Sequence, residues 1–119
     1  MPLTPMVCFS IEDNQVPAVQ VEITRFTDST NPGWVECRIA DAWGKEWSFV
    51  EKLPVVSRDD LGAESEYPQT GIVACEIVKR WQDDQNRDLA TIDTTKPWGV
   101  ESSDGNTQFD ILVDQLVNY

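Results

Sequence analysis

Ala18-Val19-Gln20-Val21-Glu22-Ile23-Thr24-Arg25-Phe26 decides the fold class. Val19, Val21 and Ile23 fall on one side of an extended chain, and Gln20, Glu22 and Thr24 on the other. A helix needs apolar residues three and four apart; a period of two belongs to a strand with one buried face. Asp28-Ser29-Thr30-Asn31-Pro32-Gly33 then turns the chain, because Pro presets φ and Gly accepts positive φ. Trp34 to Ala40 alternates again, with Val35, Cys37 and Ile39 opposite Glu36 and Arg38. The two runs and their turn predict a hairpin. Asp41-Ala42-Trp43-Gly44 is a second turn, and Glu46 to Val50, with Trp47 and Phe49 on one face, completes a three-stranded meander. Pro54 has no N–H to donate, so any continuation of that strand belongs at an edge.

Downstream, residues 57–70 are polar and acidic and form the longest connection, read equally as a functional loop or as a helical turn over Asp59 to Ala63 crossing one end of a barrel. Gly71 to Trp81 is apolar on both faces at first and reads as the central, most buried strand. Asp83-Asp84-Gln85-Asn86-Arg87 turns it back into Asp88 to Thr94, where Leu89, Thr91 and Asp93 lie opposite Ala90 and Ile92. Thr95-Lys96-Pro97-Trp98-Gly99 interrupts the ladder, Val100-Glu101-Ser102 is a short strand candidate, and Asp104-Gly105 signals a hairpin. Phe109, Leu112, Val113, Leu116 and Val117 also fit a helical stripe. The preceding hairpin signal favours a strand over 107–113 with one irregular or helical turn after it. Residues 1–17 read as irregular, with a short edge strand at Val7-Cys8-Phe9. The whole chain, 1–119, is expected to be a single all-β domain: a small antiparallel β-barrel or sandwich with one short helical turn. The barrel is favoured, because Gly and Pro corners recur and no long alternating edge is left unguarded.

Charge narrows the function. Twenty-one acids face nine bases, for a net charge of −12, and there is no histidine. A surface charged in this way repels nucleic-acid backbones and anionic membranes and attracts basic proteins. No apolar run approaches the roughly 20 residues of a membrane span. Residues 1–6 lack the basic start and long apolar stretch of a signal peptide, so a cytoplasmic protein is expected. Cys8, Cys37 and Cys75 are too far apart in sequence for a zinc motif and are expected to be reduced and buried.

Without histidine, the Ser-His and Cys-His nucleophile pairs and most zinc and iron sites are excluded. Asp93-Thr94-Thr95 lacks the glycine required by the Asp-Thr-Gly loop of aspartic proteases. Asp84-x-Asn86-x-Asp88 opens like a calcium loop but has Leu89 at the sixth position and Thr95 at the twelfth. No glycine-rich phosphate cradle is present. The sequence therefore predicts a protein that is not an enzyme, with no catalytic residues, metal or cofactor.

What remains is a binding protein. Residues 59–78 hold five acids and no base, and 97–119 hold four acids and no base. The candidate partner-binding residues are Asp59, Asp60, Glu64 and Glu66 in the long loop, Asp83 and Asp84 in the hairpin, and Trp98, Glu101 and Asp104 beyond it. Trp98 is the preferred anchor and Trp43 the reserve, since tryptophan at a turn is hard to bury and is enriched at interface hot spots. The expected role is that of an immunity or inhibitor protein neutralising a basic toxin such as a nuclease. A housekeeping β-barrel interaction module and a nucleic-acid mimic are the alternatives. No direct contact with nucleic acid or membrane is expected, and composition leaves the oligomeric state open.

Overall fold

A computed structural model describes residues 16–57, 59 and 61–118 of the chain. Among them, β1 (Pro17–Asp28), β2 (Trp34–Ala40) and β3 (Glu46–Lys52) form the expected meander. Val19, Val21 and Ile23 of β1, Val35, Cys37 and Ile39 of β2, and Phe49 of β3 are buried on one face. A bulge between Ile23 and Arg25 lets β1 run on to Asp28 while Phe26 still packs against the core. β4 (Gln69–Ala74) pairs with the other side of β1, so the sheet order is β3-β2-β1-β4.

β5 (Glu76–Gln82), β6 (Asp88–Asp93) and β7 (Gln108–Leu112) form a second antiparallel sheet in that order. A 3-10 turn over Val113–Gln115 then returns the chain to the first sheet. There β8 (Leu116–Asn118) pairs with Pro17, Ala18 and Val19. The strand expected over 107–113, with a turn after it, is thus present. The two sheets face each other. Ala90, Ile92, Phe109 and Ile111 of the second sheet share one core cluster with Val19, Ile23, Val35 and Phe49 of the first. Trp47 of β3 meets Phe109 of β7 edge to face, with ring centroids 5.6 Å apart, an arrangement that suits the aromatic quadrupoles.

The architecture is an all-β sandwich; among the described residues neither sheet closes into a barrel. The expected central strand over Gly71 to Trp81 is in fact two edge strands, one in each sheet. The run changes sheets at Cys75, whose N–H donates to the Pro17 carbonyl at 2.9 Å. It is apolar on both faces near this corner because β4 turns Val73 inward toward one side of the core and β5 brings Ile77 against the other. That pattern is indistinguishable in sequence from a strand buried on both sides.

The helical turn also moves. It spans Leu53–Val56, here α1, with Pro54 in its first turn, where a missing N–H costs nothing. Leu53 and Val56 are buried and close the end of the sandwich between β3 and β4. Residues 59 and 61–66 carry only bends, turns and irregular backbone, bonded Leu61 N–H to Asp59 carbonyl and Ser65 N–H to Gly62 carbonyl. Val100 to Ser102 is not a strand, although Val100 and Ser102 are buried. Pro17, expected in the irregular segment, begins β1, and the rest of that segment through residue 15, with Val7-Cys8-Phe9, lies outside the described residues.

Gly71 fixes how closely α1 can lie. A Cβ built there falls 2.6 Å from the Val56 carbonyl oxygen and 2.8 Å from Ile23 Cδ1. The first neighbour is backbone and cannot rotate away. Gly71→Ala should therefore lower unfolding stability by about 1–3 kcal/mol, the usual range for overpacking. Urea denaturation of the variant beside the parent checks this, and a shift of the midpoint at constant slope is expected.

Candidate partner-binding site

The loop that carries Trp98 is pinned at its base. Thr94 is fully buried, and its hydroxyl donates to the Val100 carbonyl at 2.6 Å and lies 3.2 Å from the Thr107 carbonyl. The backbone adds two bonds, Thr94 N–H to the Thr107 carbonyl and Val100 N–H to the Thr94 carbonyl. Asp93 caps the same turn by accepting the Thr95 N–H at 2.8 Å. Residues 95–99 thus leave and re-enter the body of the protein at almost one point. Gly99, at φ +67°, supplies the left-handed residue that reverses the chain. Trp98 is carried on the tip, 52% exposed.

Glu101 and Asp104 follow on the same connection and are exposed, while Ser103 N–H donates to the Ser48 carbonyl of β3. The acidic loop is elsewhere. Asp59, Glu64 and Glu66 are exposed on the approach to β4; Asp60 lies outside the described residues. The Trp98 loop adjoins the opposite end of β4, since Lys96 and Pro97 line a cavity with Cys75 and Glu76. Six residues of strand separate the two regions, roughly 17–20 Å at about 3.3 Å per residue. The candidate residues therefore surround the sandwich and are not gathered into one patch.

Asp83 and Asp84 differ. Asp84 is exposed. Asp83 serves the hairpin: Oδ1 accepts the N–H groups of Gln85 and Arg87, and Oδ2 accepts Arg87 Nε at 2.8 Å. The Arg87 amide first, then its guanidinium, hold the Asp83 carboxyl below the usual carboxylate range. Hydrogen bonds from Thr95, the hydroxyl first and the amide second, do the same for Asp93.

Trp43, the reserve anchor, is 55% exposed but engaged. Its ring centroid lies 6.3 Å from that of Trp81, and the Arg87 guanidinium sits 5.4 Å over it. Arg87 also donates to the Ala42 carbonyl, tying the β2–β3 turn to the β5–β6 hairpin. Trp81 Nε1 donates to the Thr91 hydroxyl, which donates to Asp110 at 2.6 Å, so a polar chain crosses all three strands of the second sheet. This cluster was not legible in sequence: its members lie on the β2–β3 turn, β5, the β5–β6 turn, β6 and β7.

Among the described residues only three ion pairs form, Arg25–Glu36, Arg38–Glu46 and Arg87–Asp83. None uses Asp59, Glu64, Glu66, Asp84, Glu101 or Asp104. Among the described residues four cations lie over indole rings: Lys45 over Trp47, Lys52 over Trp34, Lys79 over Trp81 and Arg87, which also pairs with Asp83, over Trp43. No group of three or more Cys, Asp and Glu residues among the described residues is arranged to hold a metal ion. Cys37 and Cys75 are unpaired thiols, pushed up by burial to about 12 and about 11. Among the described residues no helix is long and apolar enough to cross a membrane. Compared with protein-family models, curated proteins and solved structures, the chain matches none.

Two outcomes follow from these contacts. Thr94→Val removes the hydroxyl that pins the loop and leaves the Val100 carbonyl short of its donor, which should cost about 1–3 kcal/mol. Faster rotational relaxation of Trp98, read by fluorescence anisotropy against a Trp98→Phe background, should accompany it. The second outcome concerns pH. Folding lowers the pKa of Asp83 and Asp93, so their contribution is complete above the unfolded value of about 4 and is lost as pH falls through the lower folded values. Melting temperature should drop on the acid side, and Asp83→Asn with Asp93→Asn should flatten that drop.

Proposed function

We propose that this protein is a small acidic binding module that acts in the cytoplasm by docking on a basic protein, in the manner of an immunity or inhibitor protein neutralising a toxin domain. The observation that carries this reading is the distribution of charge. The loop carboxylates at Asp59, Glu64, Glu66, Glu101 and Asp104 have no internal ion pair among the described residues. The chain's own cations are largely engaged by tryptophan rings and strand carboxylates. Charge left uncompensated on several sides is suited to steering, because the summed field governs encounter with a basic cleft. Trp98 supplies what steering cannot, an apolar anchor on a pinned loop that loses little freedom when covered.

Capture from source lysate at low and high salt identifies the partner, whose retention should fall as salt rises. With that partner, Trp98→Ala should speed dissociation and weaken binding by about 2 kcal/mol or more. Asp59→Lys combined with Glu66→Lys should mainly slow association and flatten its salt dependence. Both variants should melt like the parent, since all three side chains are exposed. Parental kinetics in both would reject the reading.

A further inference from the structure

The two sides of the sandwich are finished differently. On one side, loops dock on the outer strands: Ser103 N–H donates to the Ser48 carbonyl of β3, and Ala42 N–H donates to the Asp110 carbonyl of β7. On the other side runs β5, the edge strand of the second sheet, bonded only to β6. Among the described residues no loop backbone or side chain forms a hydrogen bond with the backbone of residues 76–82. A strand edge left in this state offers a row of donors and acceptors to another extended chain. Val78, at the bulge in β5, is 53% exposed.

Two further observations describe what would lie there. A cavity of about 530 Å³ opens at the start of β5, walled by Val16, Cys75, Ile77 and Pro97 and polar only through Glu76 and Lys96. It has room for an apolar side chain. Glu76 also stands directly opposite Asp93 in the ladder, and like charges so placed repel. Asp93 is occupied with Thr95 and Gln108, whereas Glu76 has no ion pair among the described residues. Lys96 on the cavity wall acts on Asp93, and a cation arriving on the open side of Glu76 would relieve the repulsion that is left.

We propose that β5 is a strand-addition site that takes an extended segment of the basic partner, with a lysine or arginine set against Glu76 and a neighbouring apolar side chain in the cavity. Backbone bonds to the edge supply affinity, and the cavity and Glu76 supply specificity. Lys79 and Arg80 fix the polarity: the basic end of the segment lies at Glu76, and the part facing Lys79 and Arg80 is neutral. A second copy of this chain fits less well, since two copies at −12 each repel. The proposal rests on the basic-partner reading, and the test separates the two.

The probe is the peptide acetyl-Thr-Val-Thr-Val-Lys-Val-Lys-amide, with controls in which glutamate replaces lysine or glycine replaces valine. Amide hydrogen exchange of the whole protein is followed by NMR. The lysine–valine peptide should slow exchange along residues 76–82 by about tenfold or more, and neither control should. Glu76→Lys and Val78→Lys, both at exposed positions, should abolish the protection without lowering the melting temperature. Protection by the lysine–valine peptide confined to residues 61–66 or 95–106 overturns strand addition and leaves the acidic-surface reading standing. Equal protection of β5 by the glutamate peptide overturns the role of charge. Absence of β5 protection with all three peptides, or protection that survives in both variants, overturns the proposal.

Discussion

The corner at Cys75, whose N–H donates to the Pro17 carbonyl, sets how the two sheets meet. It sits where β4 becomes β5, so a single run of chain is the edge of both sheets. With that corner fixed, the inner faces of the sheets must converge, and Trp47 reaches Phe109 across the gap. The corner also sets where the loops go. The connection after β6 emerges beside it and is pinned by Thr94. The turn after β2 is carried to β7 on the far side, where Arg87 and Ala42 secure it. Burial of the thiol is a by-product of this geometry and pushes Cys75 up to about 11, out of the reactive range at neutral pH.

Much of the first sheet was legible in sequence because its strands are amphipathic. Val19, Val21 and Ile23 name their face unambiguously, and β2 runs over the residues its alternation marked out, Trp34 to Ala40. Legibility failed where one residue serves two neighbours. Ile72 to Val78 is apolar except at Glu76 because it rounds a corner of the core, and no period distinguishes a corner from a centre. Pro54 argued against a strand interior, and the alternative it permitted, the first turn of a helix, is the one adopted. The candidate binding residues were legible in composition and not in space. Glu64 and Trp98 were both identified, yet nothing in sequence indicated that β4 lies between them. Asp83 read as one acid of several, and its commitment to Arg87 becomes visible only when the hairpin is closed by Asn86 at φ 64°.

Electrostatics and packing divide the work of recognition. Exposed ion pairs contribute little to stability, about 0–1 kcal/mol each, so the fold gives up little by leaving its loop acids unpaired. Lys45, Lys52, Lys79 and Arg87 lie over indole rings, where they cover aromatic surface left partly exposed. The charge that results is dispersed, and the apolar features beside the corner are local. A partner drawn in by the first is held by the second.

The three residues of β8 bear on how the chain reaches this state. Leu116 to Asn118 pair with Pro17 to Val19, so the first residues of β1 gain their second neighbour from nearly 100 positions away. β4 reaches the same strand from about 50 positions away, whereas β2 and β3 need only short turns. Contacts of such range are slow to form, because chain entropy is surrendered before the pairing returns it. The β1–β2–β3 ribbon can therefore assemble early while one flank of β1 stays bare until the remainder arrives. During synthesis at a ribosome that flank is exposed for several seconds, at typical elongation rates of about 5–20 residues per second. The interval in which this chain is most open to wrong pairing is thus set by its order of strands and not by its finished stability.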